Sequence, residues 1–137
     1  MSFDVFIQCY GETERVGLSR DAVRSLFPVV ESESNAEFWR VQYGPEDSCD
    51  FYLGQSASNS TGLCDFMVSR PCGDERFWQA MISVLRMGTV MMLWPGSPIM
   101  VAPGTIIDGL PEGMVEDFGG PVRISSTEEI FRLLRET

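Results

Sequence analysis

The 137-residue sequence contains no histidine and no lysine, so all ten of its basic residues are arginines. The lack of histidine excludes the Ser-His-Asp and Cys-His arrangements and removes the commonest transition-metal ligand. The lack of lysine excludes a Schiff base, a pyridoxal phosphate anchor and a P-loop lysine. Catalysis would have to use carboxylates, cysteine, tyrosine, serine or arginine. We therefore expect a protein without cofactor or metal, and a catalytic role is disfavoured but stays open.

Long apolar runs and secretion signals are also missing. The most apolar stretch, residues 90–94, is far too short to span a bilayer. The first residues lack the basic region and the apolar core of a signal peptide. The four cysteines form no C-x-x-C pair, which favours buried free thiols over disulfides. These absences predict a cytoplasmic protein that does not enter a membrane.

The charge of the chain is strongly one-sided. Twenty acidic and ten basic residues give a formal net charge of −10. A field of that sign repels phosphate backbones and anionic lipid surfaces, so we expect no nucleic-acid and no membrane binding. It would attract a basic protein and speed the encounter with it. The alternative is that the acidity only keeps the protein soluble.

What is present is the composition of one ordinary globular domain, covering residues 1–137. The apolar fraction is 44% and the charged fraction 22%, which a single hydrophobic core accommodates at this length. Alternating or continuous apolar residues predict strands over 3–9, 38–43, 48–53, 63–69 and 90–94, with short strands over 99–102 and 122–125. Helical spacing and capping residues predict helices over 20–27 and 75–87, a terminal helix opened by the capping box at 126–129, and a short helix over 111–118.

This order of elements predicts an α+β fold. We expect a mostly antiparallel sheet of about five or six strands, with two or three helices packed mainly on one face. The hairpin formed by residues 38–53 is the clearest local feature, because its two alternating strands flank Gly44-Pro45-Glu46-Asp47, which has the composition of a turn.

Several segments resemble a set of small uncharacterised bacterial proteins. The opening MSFDVFIQ at residues 1–8 recurs in that set, and so do the segments 38–40, 47–50, 52–53, 70–71 and 77–78. This resemblance covers most of the chain and implies a bacterial source and a free-standing domain, without a mechanism. The chain is also similar, in style only, to immunity proteins of bacterial toxin systems, which are often small and acidic.

An acidic surface is the first candidate site. Carboxylates cluster before the predicted hairpin and around its turn, where they could meet arginines or lysines of a partner. A calcium site is not supported, since the spacing does not match an EF-hand loop. Solvated turn residues are the alternative. The candidate partner-binding residues are Glu31, Glu33, Glu37, Glu46, Asp47 and Asp50.

Cys72 is the second candidate, as a reactive thiol. It precedes a predicted helix N-terminus and has Arg70 and Arg76 nearby in sequence, and both features can lower the pKa of a thiol. Against this, the chain offers no histidine base and no C-x-x-C partner.

These observations favour a non-catalytic binding protein, in its most specific form an acidic inhibitor or immunity-type protein that covers a basic protein. A small carboxylate-based or thiol-based enzyme is one alternative. A homodimeric structural domain is another, which an exposed apolar patch on the uncovered face of the sheet would favour. The sequence leaves monomer and homodimer open.

Overall fold

The computed structural model describes residues 3–11, 13, 16–53, 62–105, 107, 110, 113, 117 and 119–136. The short helix predicted over 111–118 lies largely outside these residues. The described elements are β1 Asp4–Cys9, β2 Leu18–Ser19, α1 Arg20–Ser25, a 3-10 turn Glu31–Glu33, β3 Phe38–Gly44, β4 Asp47–Tyr52, β5 Gly62–Leu63, β6 Asp65–Ser69, α2 Glu75–Leu85, β7 Val90–Leu93, β8 Met100–Val101, β9 Val122–Arg123 and α3 Thr127–Glu136.

Seven of these strands form one sheet in the order β3-β4-β6-β1-β7-β8-β9. Every neighbouring pair is antiparallel except β8 and β9, which are parallel. The α+β class, the antiparallel sheet and the β3–β4 hairpin are confirmed. The sheet exceeds the expected five or six strands because both short strands, β8 and β9, join its edge. The strands β2 and β5 pair separately.

The main core lies between one face of the sheet and the helices. Val5 and Ile7 of β1 point into it, and Phe51 of β4 stacks on Phe66 of β6 with ring centroids 5.5 Å apart. Phe77 of α2 meets the Phe51 ring edge-on. The buried apolar side chains of α1, α2 and α3 all belong to this core, which confirms that the helices pack mainly on one face.

Side-chain caps fix where α2 begins and how α3 contacts it. The Asp74 carboxylate accepts the Arg76 backbone N–H at 2.9 Å, which satisfies one of the free donors of the first turn. The Thr127 hydroxyl, at the start of α3, donates to the Glu75 carboxylate at 2.9 Å. None of the helices in the described part of the chain is both long and apolar enough to cross a membrane.

Among the described residues, only one end of the opposite face of the sheet is covered. There Tyr10, Met91, Ile99 and Val101 form a small second core with Leu110 packed against it. Toward β1, β6, β4 and β3 no described element lies over this face. The outward residues of those four strands, together with Leu93 at the end of β7 beside Phe6, form a surface that no described element covers, which we call the open face.

Candidate functional site

One row of apolar side chains crosses the open face. In the strand register, Phe38 pairs with Tyr52, Tyr52 with Met67, Met67 with Phe6, and Phe6 with Leu93. We call these five residues the apolar row. Tyr52 is 45% exposed and Phe6 is 40% exposed, and the other three are half-buried. Outward positions of a sheet that faces water are normally polar, so the row needs an explanation.

The row is long enough to take part in protein recognition. Five neighbouring strands span about 19 Å, since strands lie about 4.8 Å apart. The rings of Phe38 and Tyr52 pack edge to face with centroids 5.4 Å apart. A depression of about 260 Å³ opens at the centre of the row, between Phe6, Tyr52 and Met67. Contiguous exposed apolar surface of this kind marks interaction sites on soluble proteins.

Polar residues border the row on both sides. On one side Arg40, Asp50, Ser69 and Asp4 are direct neighbours across β3, β4, β6 and β1. On the other side Asp65 pairs with Gln8. Each border therefore carries at least one carboxylate, an arrangement that resembles the apolar centre and polar rim of a protein interface.

The carboxylates of the two borders differ in their surroundings. Asp50 is almost buried and is held by Arg40, whose Nε lies 2.7 Å from its Oδ1, while Arg70 lies 3.7 Å from its Oδ2. Asp4 and Asp65 make no ion pair within the described part of the chain. The free negative charge of the open face thus comes from Asp4 and Asp65.

Several arginines bind groups of their own chain. Arg76 forms two contacts with the Asp74 carboxylate and lies over the Tyr43 ring. Arg123 donates to the carbonyls of three residues that follow β8, and Arg20 donates to the Ala36 carbonyl. These arginines are therefore engaged within the chain. The two-to-one excess of acidic over basic residues gives the molecule a net negative charge, and a partner would meet a negative electrostatic field.

The six predicted acidic residues fall into separate groups. Glu31 and Glu33 form the 3-10 turn, and Glu37 immediately precedes β3. Glu46 and Asp47 lie at the other end of the hairpin, about 20 Å away along seven residues of strand. Asp50 lies between the groups, on the open face. Whether these residues contact a partner stays a prediction.

The Asp47 carboxylate is occupied within the chain. One oxygen accepts the backbone N–H of Gly73 at 3.0 Å, and the other accepts that of Asp74 at 3.1 Å. It therefore ties the segment between β6 and α2 to the hairpin turn. Asp74 itself has a pKa lowered to about 2, chiefly because it accepts hydrogen bonds from Arg76.

The predicted reactive thiol, Cys72, belongs to this segment and its side chain is buried. Cys72 is 1% exposed and Cys49 is 2% exposed, and the Cys72 thiol donates to the Cys49 sulfur at 2.8 Å. That hydrogen bond, burial and the nearby charge of Asp47 raise the pKa of Cys72 well above its ordinary value. This is opposite to the shift that a thiolate nucleophile requires. The expected influence of arginines is absent because Arg76 binds Asp74 and Arg70 extends toward Asp50.

The sequence interpretation missed two features. It did not identify Cys49 as the neighbour of Cys72, because the two residues are 23 positions apart. It also missed the apolar row, although it predicted the strands in which Phe6, Tyr52 and Met67 occupy outward positions. The sequence contained a signal for the row, because these three large apolar side chains occupy strand positions that are normally polar when they face water.

A separate cavity lies beside Tyr10 and the end of α2. It has a volume of about 830 Å³ and is lined by Tyr10, Leu85, Arg86 and small residues including Thr13, Thr89 and Thr105. Its described lining contains no carboxylate and no thiol. No group of three or more histidine, cysteine, aspartate or glutamate side chains among the described residues is arranged to hold a metal ion.

No family model matches this sequence, and neither a curated protein nor a solved structure shows significant similarity to it.

Proposed function

We propose that this chain is a non-catalytic protein-binding domain, and that its open face docks an apolar strip of a basic protein. The observation that carries the proposal is the apolar row with free carboxylates beside it. An inhibitor of the immunity type, which covers a basic toxin, is the form of this function that the small size and the net charge of −10 support.

Docking would complete the burial of aromatic side chains that the fold leaves in water. Phe6 and Tyr52 are the most exposed large apolar residues of the sheet. Burying the remainder of each is worth about 1 kcal/mol. Aromatic residues near the centre of an interface commonly dominate its binding energy. Phe6 and Tyr52 flank Met67 at the centre of the row, as such a role requires.

Charge favours a basic partner over a second copy of the chain. A two-fold axis in the plane of the face superimposes the apolar row on itself. If the axis runs parallel to the strands through Met67, Asp65 of one copy faces Asp65 of the other. If the axis runs parallel to the apolar row, Asp65 of one copy faces Ser69 of the other. Neither arrangement supplies a positive charge to Asp65, and carboxylates left without one in an interface oppose association. Arginines or lysines of a basic partner would supply it.

The test compares two matched double variants. Phe6→Ser/Tyr52→Ser removes the exposed aromatics of the row. Val16→Ser/Leu26→Ser removes two exposed apolar residues outside the open face, which are 73% and 36% exposed. Each chain is immobilised to capture proteins from a lysate of the source cells. A protein retained by the wild type and by the control, but not by the row variant, is then purified.

The decisive measurement is calorimetric titration of that purified protein. We expect a basic protein whose Kd rises at least about 30-fold with Phe6→Ser/Tyr52→Ser and changes little with the control. Its association rate should fall at high salt. Equal binding by the row variant, or capture of no basic protein, would overturn the proposal. So would sedimentation of a wild-type dimer that the row variant abolishes, because a second copy would then cover the face.

A further inference from the structure

Two cysteines from distant segments meet in the core. Cys49 points inward from β4, and Cys72 lies in the connection between β6 and α2. Because β6 pairs with β4, with Asp50 opposite Ser69, the chain that leaves β6 returns over the inward side of β4. The two sulfurs are therefore brought to 2.8 Å from each other, and both are buried.

We propose that Cys49 and Cys72 are a site of reversible disulfide formation, oxidised by a low-molecular-weight disulfide such as glutathione disulfide. This inference does not depend on the proposed partner. It assigns to Cys72 the resolving thiol that its sequence neighbourhood lacks.

The geometry requires little movement. A disulfide bond is about 2.05 Å long, so the two sulfurs need to approach by less than about 1 Å. The segments that carry them are already held together, because the Asp47 carboxylate at the start of β4 accepts the backbone N–H groups of Gly73 and Asp74. The oxidised pair would thus keep the contacts of the reduced fold.

The reaction balances with two thiol–disulfide exchanges. In the first, one cysteine thiolate attacks glutathione disulfide, forms a mixed disulfide and releases one glutathione thiolate. In the second, the other cysteine attacks the protein sulfur of that mixed disulfide and releases the second glutathione. The two protons of the protein thiols end on the two released glutathione molecules, so glutathione disulfide is reduced and the cysteine pair is oxidised.

Burial of the two sulfurs controls the rates at which the disulfide forms and is reduced. Neither sulfur is open to a large reagent, so the first exchange requires the segment from Arg70 to Asp74 to open. The raised pKa of Cys72 keeps its thiolate scarce and slows the attack further. Once formed, the disulfide should be reduced slowly, because a reductant also reaches the buried sulfurs only when that segment opens.

Oxidation should also stabilise the fold. The bond closes a loop between residues 23 positions apart and so lowers the conformational entropy of the unfolded chain. The resulting stabilisation should raise Tm by about 10 °C. The rise should disappear when a reductant is added under conditions that allow the segment to open.

The experiment incubates the full reduced chain with glutathione disulfide, alkylates the remaining thiols and maps peptides without reduction. We expect a cross-linked peptide joining Cys49 to Cys72, the loss of two hydrogen atoms from the protein mass, and the rise in Tm. Cys49→Ser or Cys72→Ser should each stop at a mixed disulfide or free thiol, whereas Cys64→Ser should still form the cross-link.

The peptide map of the wild type decides the matter even where a variant fails to fold. A cross-link between other cysteines would overturn the proposal. So would full alkylation of Cys49 and Cys72 after prolonged oxidation, or a cross-link that forms only in the denatured chain.

Discussion

Arg40 and Asp50 face each other directly across β3 and β4, and Arg40 Nε lies 2.7 Å from Asp50 Oδ1. The side chain of Asp50 is only 12% exposed and that of Arg40 is 34% exposed. The pair lies beside the apolar row, so it contributes both to the stability of the hairpin and to the border of the open face. A substitution of Asp50 would affect both.

We expect Asp50→Asn to lower the free energy of unfolding by about 1–2 kcal/mol, between the values of exposed and buried ion pairs. Urea unfolding of Asp50→Asn, Arg40→Gln and the double variant gives the coupling between them, which should be about 1 kcal/mol. Glu46→Gln, in the adjoining turn, should change stability by less than about 0.5 kcal/mol. A coupling of zero would contradict the contact.

Phe51 and Tyr52 are consecutive in β4 but point to opposite faces of the sheet. Phe51 is fully buried, whereas Tyr52 is 45% exposed. We expect Phe51→Ala to cost about 3–5 kcal/mol through the cavity it leaves, and Tyr52→Ala about 1 kcal/mol or less. Urea titrations of both variants measure the difference. Similar costs would mean that Tyr52 is needed for the fold rather than for binding.

The sequence predicted most of the main sheet because its strands alternate. Val5 and Ile7 of β1, and Cys49 and Phe51 of β4, are apolar residues at alternate positions of predicted strands, and all are buried in the core. Alternation did not predict the position of β1 in the sheet, between β6 and β7. That position results from long-range pairing, such as Phe6 opposite Met67 on one side and Leu93 on the other, which no local pattern encodes.

The candidate site depends on such long-range pairing. Each residue of the apolar row is an isolated outward side chain in the sequence, and only strand order and register join them. The same holds for the contact of Cys49 with Cys72. By contrast, the acidic residues could be located from the sequence, but not the intramolecular contacts that occupy Asp47 and Asp50.

Asp74 makes stability depend on acid pH. Hydrogen bonds from Arg76 lower its pKa from the ordinary value of 3.8 to about 2. Because the folded state lowers the pKa, this contribution is present above about pH 4 and is lost as the pH falls toward 2. We expect the urea midpoint to fall over that window, and less steeply in Asp74→Asn. Asp4→Asn, which leaves the cap of α2 intact, is the control. Equal pH dependence in Asp74→Asn and the wild type would contradict this assignment.

At alkaline pH the thiol pair and Tyr43 act in the opposite direction. The pKa of Cys72 is raised chiefly by its hydrogen bond with Cys49, and that of Tyr43 chiefly by burial. The folded state therefore favours the neutral groups, and stability is lost as the pH rises above the unfolded values of about 8.5 and 10. The urea midpoint of the reduced chain should fall from about pH 8.5 upward. In Cys72→Ser the decrease of the urea midpoint that begins at about pH 8.5 should be absent, whereas Cys64→Ser should still show it.

Asp47 should control access to Cys72. Its carboxylate accepts the N–H groups of Gly73 and Asp74, and its charge contributes to the raised pKa of Cys72. Asp47→Asn removes the charge and one acceptor oxygen, so the segment opens more readily and the thiolate becomes more abundant. We expect alkylation of Cys72 by iodoacetamide at pH 8.5, followed by peptide mass spectrometry, to become several-fold faster.

Two comparisons separate this effect from general loosening of the hairpin. Glu46→Gln removes a charge from the same turn, but Glu46 makes none of the contacts described for Asp47, so the rate should stay that of the wild type. Cys9 is buried on β1 and is remote from Asp47 in the sheet order, so its alkylation should not change in Asp47→Asn. If Cys9 and Cys72 both react faster, the substitution has destabilised the whole fold, because global unfolding exposes every thiol alike. Acceleration confined to Cys72 means that Asp47 holds this one segment over the thiol pair.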